Sequence, residues 1–446
     1  MRQQRTIQAS LFDLLAGHEI GRELKAMSRW LDEHPAVLGP VAEDLRRYGV
    51  KATGRQGLAA ESVLRCALLK QHRQLSYEEL AFHLEDSASF RAFARLPLSW
   101  TPKKSVLHKT ISAIRAETWE AINRAVLGSA RQEKVEAGDV IRLDSTVTDA
   151  LIHEPSDSSL LWDAVRVMAR MMKSAGTLAG GADIAWRDRR RAAKRRAYAI
   201  QFTRGRPRRV QQYRELIEIT RAMLAYVDVA ASRLERVAGP MAEVWRATLA
   251  RYRPLVERII SQSERRVLRG EVVPAAEKIV SLFEPHADII VKGSRDTQYG
   301  HKLNLVAGRS GLILDLVIET GNPADSERFL PMLERHIAFY GRAPRQAAAD
   351  GGYANGYNLQ QAKARGVRDM AFHKKAGLNI EDMVKSRWVY RKLRNFRAGI
   401  EAGISCLKRA YGLARCTWRG LAHFSAYVWS SVVAYNLALF TRLRPA

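Results

Sequence analysis

The first 118 residues carry apolar side chains at the three- and four-residue spacing that predicts amphipathic helices. Ser76 is followed by Glu79 and then by apolar positions, which predicts a capping box at the start of one helix. Thr101 and Pro102 predict the N-cap and the first turn of a later helix that also carries basic residues. Several short helices with a basic last member predict an all-α, helix-turn-helix-like domain over residues 1–118.

The pattern changes to short β-branched runs beyond this segment. Residues 139–148 predict a strand, and helical spacing then returns and continues to about residue 284. Three strands are predicted next, at 288–291, 301–307 and 312–319. A helix is predicted after Asn322–Pro323, then a short apolar strand that ends at Asp350, then further helix to the C-terminus.

This order of elements is explained most economically by one α/β domain that is interrupted after its first strand. The first part of that domain would span residues 119–157. A basic helical insertion would span residues 158–284, and the remainder of the domain with C-terminal helices would span residues 285–446.

Charge narrows the choice of partner. The chain has 73 Lys and Arg against 46 Asp and Glu, a net charge of +27, which favours a polyanion and most commonly a nucleic-acid backbone. Residues 187–214 contain twelve Lys or Arg and the single acidic residue Asp188. This run favours a phosphate-binding surface rather than a basic surface without a ligand. The candidate DNA contacts in this run are Arg189, Arg190, Arg195, Arg208 and Arg209. The candidate DNA contacts on the last N-terminal helix are Lys103, Lys104 and Lys109. For these three lysines a solvated helix face is an equal alternative.

Two further features bear on location. Residues 421–441 contain no Asp, Glu, Lys or Arg, but interspersed Ser, His and Asn favour a buried core helix over a membrane span. The three cysteines, Cys66, Cys406 and Cys416, form no CxxC pattern, and the N-terminus has no signal-peptide pattern. We therefore expect a cytoplasmic protein without a disulfide framework or a zinc site.

Three acidic residues are candidates for chemistry. Asp144 lies near the end of the first predicted strand, and Asp350 ends a later one. Arg397, Glu401 and Lys408 fall within roughly 40° of each other on one helix face at about 100° per residue. A carboxylate between two cations suits a metal site beside DNA phosphates. Taken singly, these residues are more typical of a polar strand end, a turn and a solvated salt-bridged face than of a metal site.

The joint order of these residues resembles the DDE transposases of bacterial insertion sequences. Asp144-Ser-Thr, within RLDSTVTDALIHEPSDSSLLWDAVRV, resembles the first acidic strand of that family, and Asp350-Gly-Gly-Tyr the second. Arg397-x3-Glu401-x6-Lys408 resembles the family's Arg-Glu-Lys signature, and SYEELAFHLEDSASFRAFARL its DNA-binding region. The similarity is greatest to the ISNCY group and the neighbouring insertion-sequence-five-like group. Many relatives have a tyrosine where this chain has Arg394, which puts in doubt any step that stacks that position on a displaced base.

The resemblance implies a ribonuclease-H-like catalytic fold in which Asp144 and Asp350 lie side by side and the helix of Glu401 closes the site. These three carboxylates would be the catalytic residues and would hold two divalent ions, Mg²⁺ or Mn²⁺, about 3.5–4 Å apart. Arg397 and Lys408 would contact DNA. The implied activity is metal-dependent DNA cleavage and strand transfer at insertion-sequence ends. The implied partners are double-stranded DNA with terminal inverted repeats, target DNA and a second copy of the chain, as a homodimer on DNA. The implied location is the cytoplasm, at the nucleoid.

Two alternatives remain from the sequence. One is a nuclease of the same fold that cuts DNA without joining it. The other is a non-catalytic DNA-binding protein derived from a transposase, which the presence of all three carboxylates disfavours.

Overall fold

The computed structural model describes residues 18–47, 57–97, 99–178, 184–291, 296–373 and 377–444. The chain divides into two compact units. The first comprises Met1–Ala150 together with His301–Ala446, and the second comprises Leu151–Gly300.

In the residues that the structure describes, the N-terminal part of the first unit is helical as far as its first strand. The predicted capping box is confirmed, because the Ser76 hydroxyl accepts from the Glu79 amide at 3.1 Å and the Glu79 carboxylate accepts from the Ser76 amide at 2.7 Å. The elements are α1 (Glu19–Glu33), α2 (Leu38–Arg47), α3 (Ala60–His72), α4 (Tyr77–Asp86), α5 (Ala88–Phe93), α6 (Lys104–Ile111), α7 (Ala116–Gln132) and β1 (Val140–Asp149).

Helix α6 begins later than its sequence pattern predicts. Its N-cap is Lys103, so the prediction that Thr101 and Pro102 open this helix is wrong. The Thr101 hydroxyl instead accepts a hydrogen bond from Arg91 Nη2 at 2.6 Å, and Pro102 is buried. A side chain ten residues earlier thus donates to the oxygen that the sequence pattern assigns to helix capping.

The second unit is mainly helical. The indole N–H of Trp245 donates to the Met171 carbonyl at 3.0 Å and ties the last long helix to the first. The predicted break in the basic run is confirmed at Gly205, whose φ of +86° precedes a helix with Pro207 in its first turn. The elements are α8 (Asp157–Leu178), α9 (Arg190–Phe202), α10 (Arg206–Leu234), α11 (Pro240–Ser263) and β2 (Asp288–Ile290), which pairs antiparallel with residues 298–300.

The chain then returns to the first unit along one strand. The elements from that strand onward are β3 (Gln298–Gly308), β4 (Ile313–Ile318), α12 (Asp325–Tyr340), β5 (Gln346–Ala349), α13 (Gly356–Ala364), β6 (Asp369–Phe372), α14 (Ile380–Met383), α15 (Arg387–Ala410) and α16 (Leu421–Leu443). The sequence prediction of only helix beyond Asp350 is wrong at β6, because four residues are too few for a strand period to be distinguished from a buried helical turn.

The sheet of the first unit has the strand order β3-β1-β5-β6, with β4 pairing on β3. Strands β1, β5 and β6 are parallel, whereas β3 and β4 are antiparallel. Helices lie between the parallel strands in sequence, as parallel pairing requires a crossover connection. The first unit is therefore a mixed α/β structure.

Helix α16 is a core helix, as the sequence of residues 421–441 predicts. The amide of Gln71 donates to the Ser431 hydroxyl at 2.6 Å, and Asn436 bonds both the Ile313 amide at 2.8 Å and the Asn123 side chain at 2.7 Å. Its buried polar groups are thus paired with α3, α7 and β4. The N-terminal helices consequently share one hydrophobic core with the C-terminal segment. Among the described residues no helix is long and apolar enough to cross a membrane.

We expect the stability of the fold to fall as the pH drops from about 6.5 to 4, through His336. This buried side chain bonds the Gly138 carbonyl at 3.0 Å, and burial lowers its pKa to about 4, more than the nearby Asp139 raises it. Between about pH 6.5 and 4 the unfolded chain binds a proton at this residue and the folded chain does not. The stability lost across this window is about 3 kcal/mol once the pH is below both pKa values.

Urea unfolding at several pH values tests this expectation. His336→Gln removes the titrating group and keeps a donor for the carbonyl, so the variant should lose less stability than the wild type across the same window. Parallel pH curves for the two proteins would exclude His336 as the source.

Candidate active site

The parallel pairing of β1 with β5 brings two acidic residues to one edge of the sheet. Leu143 is in register with Ala349. Asp144 is the next residue within β1, and Asp350 directly follows the end of β5. Asp144 is buried within β1, and its Oδ1 accepts the Ser145 amide at 2.8 Å. The two carboxylates therefore lie side by side, where β5 ends.

Arg397 connects these carboxylates to a third. Its Nη2 lies 2.9 Å from Asp144 Oδ2 and 3.1 Å from Asp350 Oδ1, and its Nη1 lies 2.7 Å from Glu401 Oε1. One guanidinium thus contacts all three acidic residues that the sequence singles out. The side chains of Asp144, Asp350 and Glu401 are 8%, 33% and 64% exposed, so the cluster opens from the buried strand towards solvent.

Arg142 holds the helix of Arg397 against the sheet. Its Nη1 donates to the Phe396 carbonyl at 2.8 Å, and its guanidinium stacks over the Phe396 ring at 4.7 Å. A side chain at Gly399 would overlap the same guanidinium, which would then have to move from this position. Burial lowers the pKa of Arg142. Sequence reasoning missed this pair, although alternation along β1 puts Arg142 on the same face as Asp144.

A second polar cluster adjoins the first. Asp325, in the first turn of α12, pairs with Lys302 Nζ at 2.6 Å and accepts from the Ser145 hydroxyl at 3.2 Å. Tyr353 is fully buried and donates to Asn304 at 2.6 Å. Burial, followed by the charges of Asp325 and Asp144, raises the pKa of Tyr353 well above its usual range. This cluster supports the strand that carries Asp144.

Lys408 lies further along α15, beside the last residue of β1. Burial raises the pKa of the Asp149 carboxyl, and the charges of Lys408 and Arg415 partly oppose this effect. Lys408 is half-buried there, three turns after Arg397. Its charge therefore acts at the end of β1, five residues beyond Asp144.

The donor set suits a divalent metal ion of the oxygen-binding type, because it consists of three carboxylates that contact one guanidinium. In this structure the Arg397 guanidinium stands among them, and the described residues contain no group of three or more His, Cys, Asp or Glu side chains already arranged to hold a metal. The Nε of Arg397 is buried with no hydrogen-bond partner in the part of the chain that the structure describes. The guanidinium is thus incompletely satisfied where it lies.

The other predicted DNA contacts lie on the surface of their own units. Lys103, Lys104 and Lys109 are exposed in the first unit, where Lys104 pairs with Glu78 at 3.2 Å. In the second unit Arg190 pairs with Asp188 at 2.6 Å. Arg195, Arg208 and Arg209 are exposed there, and Arg189 is half-buried.

Two transposase families match the chain. Residues 14–117 match the family described as "Transposase domain (DUF772)", and residues 291–437 match "Transposase DDE domain". The matched segments together cover more than half of the chain and include Asp350, Arg397 and Glu401. No curated protein and no solved structure matches it. The chain is thus a member of the insertion-sequence DDE transposases, enzymes that cleave and transfer DNA strands and generally use divalent metal ions.

Proposed function

We propose that Asp144, Asp350 and Glu401 are the catalytic carboxylates of this transposase. The observation that carries the proposal is their common contact with Arg397, at 2.9, 3.1 and 2.7 Å. Residues 144 and 401 are far apart in sequence, and their contact with one guanidinium supports a shared site.

The three carboxylates would hold two divalent ions, Mg²⁺ or Mn²⁺. When bound, such ions activate the attacking water or 3′-hydroxyl and stabilise the leaving oxygen. Asp144 supplies the buried, backbone-anchored ligand, and Glu401 supplies the exposed one on a helix held by Arg142. Arg397 neutralises the carboxylates before a metal binds, and with Lys408 it compensates phosphate charge when DNA is present.

The proposal also covers the fold of the catalytic domain, the domain bounds, the transposase group and the oligomeric state. The catalytic domain is ribonuclease-H-like, its parts at 119–157 and 285–446 are separated by a basic helical insertion, and the chain belongs to the ISNCY group. Residues 1–118 form the helix-turn-helix-like domain that recognises the terminal inverted repeats. Because transposition holds two ends together, a homodimer on DNA is proposed, acting in the cytoplasm at the nucleoid.

The decisive experiment offers the full-length protein a duplex with the terminal repeats that flank its gene and a supercoiled target plasmid. With Mg²⁺ we expect nicked ends and joined products, and with EDTA neither. Cleavage without joined products would favour the nuclease. Specific binding without either reaction would favour the non-catalytic DNA-binding protein.

Two surfaces would bind DNA, one supplying affinity and the other supplying sequence preference. The exposed arginines around the α9–α10 break carry charge without sequence information, so they would supply affinity. The exposed lysines of α6 lie beside His108, on a short helix of the type that enters a major groove, so they would supply preference for the ends.

We expect these surfaces to respond differently to substitution. Arg195→Gln/Arg208→Gln/Arg209→Gln should weaken binding to terminal and scrambled duplexes equally and reduce the salt slope by up to about 3, at about 0.9 for each lost phosphate contact. Lys109→Ala should lower the preference for the terminal sequence by about fivefold. Equilibrium binding across a salt series measures both effects, and an unchanged slope or an unchanged preference would contradict the respective assignment.

A further inference from the structure

Helix α9 of the second unit presents two aromatic rings to solvent. Tyr198 is 63% exposed and Phe202 is 67% exposed, and their ring centroids are 4.8 Å apart. They lie one helical turn apart, so they form a continuous apolar surface. Large aromatic residues in this arrangement commonly mark a binding surface, since exposure of both gains nothing for the fold.

The same helix face is strongly basic. At about 100° per residue, Arg191, Lys194 and Arg195 lie within roughly 60° of Tyr198. All three are exposed, whereas the opposite face, with Ala193 and Ile200, is buried. The two rings therefore lie at the end of a row of cations on one face.

The positive charge continues beyond the second ring. Arg204 follows Phe202, Gly205 breaks the helix with a φ of +86°, and α10 opens with exposed cations. From residue 189 to residue 214 the sequence contains no acidic residue. Cations thus flank the rings in both directions along the chain.

Rings and cations together select a particular kind of anion. Paired bases in duplex DNA already stack on each other, so an intact duplex needs only the cations. Unpaired nucleotides expose base faces that stack on aromatic side chains while their phosphates bind Lys and Arg. A second copy of this chain is a poor occupant, because two such basic faces would repel each other.

We propose that this face of α9 binds an unpaired segment of DNA. Its bases stack on Tyr198 and Phe202, and Arg191, Lys194 and Arg195 hold its phosphates. This site shares no residue with the three carboxylates. Binding at α9 requires no metal and can therefore be measured in EDTA, so its failure and that of the catalytic proposal are distinguishable.

The test uses the full-length chain in EDTA and two fluorescent probes, a single-stranded oligonucleotide of about 16 nucleotides and its duplex. Tyr198→Ala/Phe202→Ala should weaken single-strand binding by about tenfold or more, since each stacked base contributes strongly to affinity. Duplex binding should change by less than about twofold. A 2-aminopurine base in the single strand should be quenched by the wild type and not by this variant.

Matched controls separate stacking from general effects. Met241→Ala/Val244→Ala removes a second exposed apolar pair of the same unit, 67% and 63% exposed, and should leave both affinities unchanged. Tyr198→Phe/Phe202→Tyr should keep single-strand binding, and Arg191→Gln/Lys194→Gln/Arg195→Gln should weaken both probes. The proposal is overturned by unchanged single-strand affinity in the double alanine variant, by an equal loss for both probes, or by loss of self-association with DNA binding retained.

Discussion

Asp144→Asn, Asp350→Asn and Glu401→Gln are each expected to reduce strand cleavage by about a thousandfold or more. Each removes one charged ligand from a site whose metal would stabilise several kcal/mol of transition-state charge. The amides keep the shape of the side chains. DNA affinity should change by less than about twofold, because phosphate contacts elsewhere supply most of it.

Cleavage and binding should be measured on the same protein preparations. Glu327→Gln is the matched control, since this exposed carboxylate lies in the first turn of α12, outside the contacts of Arg397, and should cut at the wild-type rate. A thermal melt of each variant excludes unfolding. Near-normal cleavage by any one of the three variants would remove that residue from the proposed ligand set.

Arg397→Gln is expected to destabilise the metal-free protein by about 3 kcal/mol. The pair with Asp144 is buried, with both side chains 8% exposed, and its loss leaves an uncompensated carboxylate beside two others. The more exposed partners Asp350 and Glu401 add little, because solvent screens them. Arg397→Lys should restore only part of the loss, since one ammonium cannot reach three carboxylates in fork geometry.

Divalent metal gives this prediction a second readout. If the carboxylates bind Mg²⁺, the ion should stabilise Arg397→Gln more than the wild type, because it replaces the missing positive charge. Urea unfolding in EDTA and in Mg²⁺ measures this difference. Arg394→Gln, one turn earlier on the exposed side of the same helix, is the control and should change neither value. Equal stabilisation of Arg397→Gln and wild type by Mg²⁺ would argue against a metal at these carboxylates.

Local patterns predicted most of the secondary structure. The β-branched run of β1, the capping box at Ser76 and the break at Gly205 each depend on residues within a few positions of each other. The predicted start of α6 was wrong, and the Thr101 hydroxyl instead accepts a hydrogen bond from Arg91. Strand β6 was missed because four residues are too few to show a period.

The sequence by itself determined which residues are available for chemistry and in what order: Asp144, Asp350 and the Arg397–Glu401 helix resemble one family's acidic pattern. Helical periodicity also determined that Arg397 and Glu401 share a face. These properties depend on residue identity and short-range spacing, which a single chain reveals.

Only the tertiary structure decided what surrounds those residues. The parallel register of β1 with β5 sets Asp144 beside Asp350. Arg142 donates to the backbone of the helix whose Arg397 reaches both carboxylates. Sequence reasoning predicted Arg397 as a DNA contact, and the structure adds that its guanidinium is buried among the three carboxylates. Contacts between residues some 250 positions apart depend on strand register and side-chain volume, which no local spacing encodes.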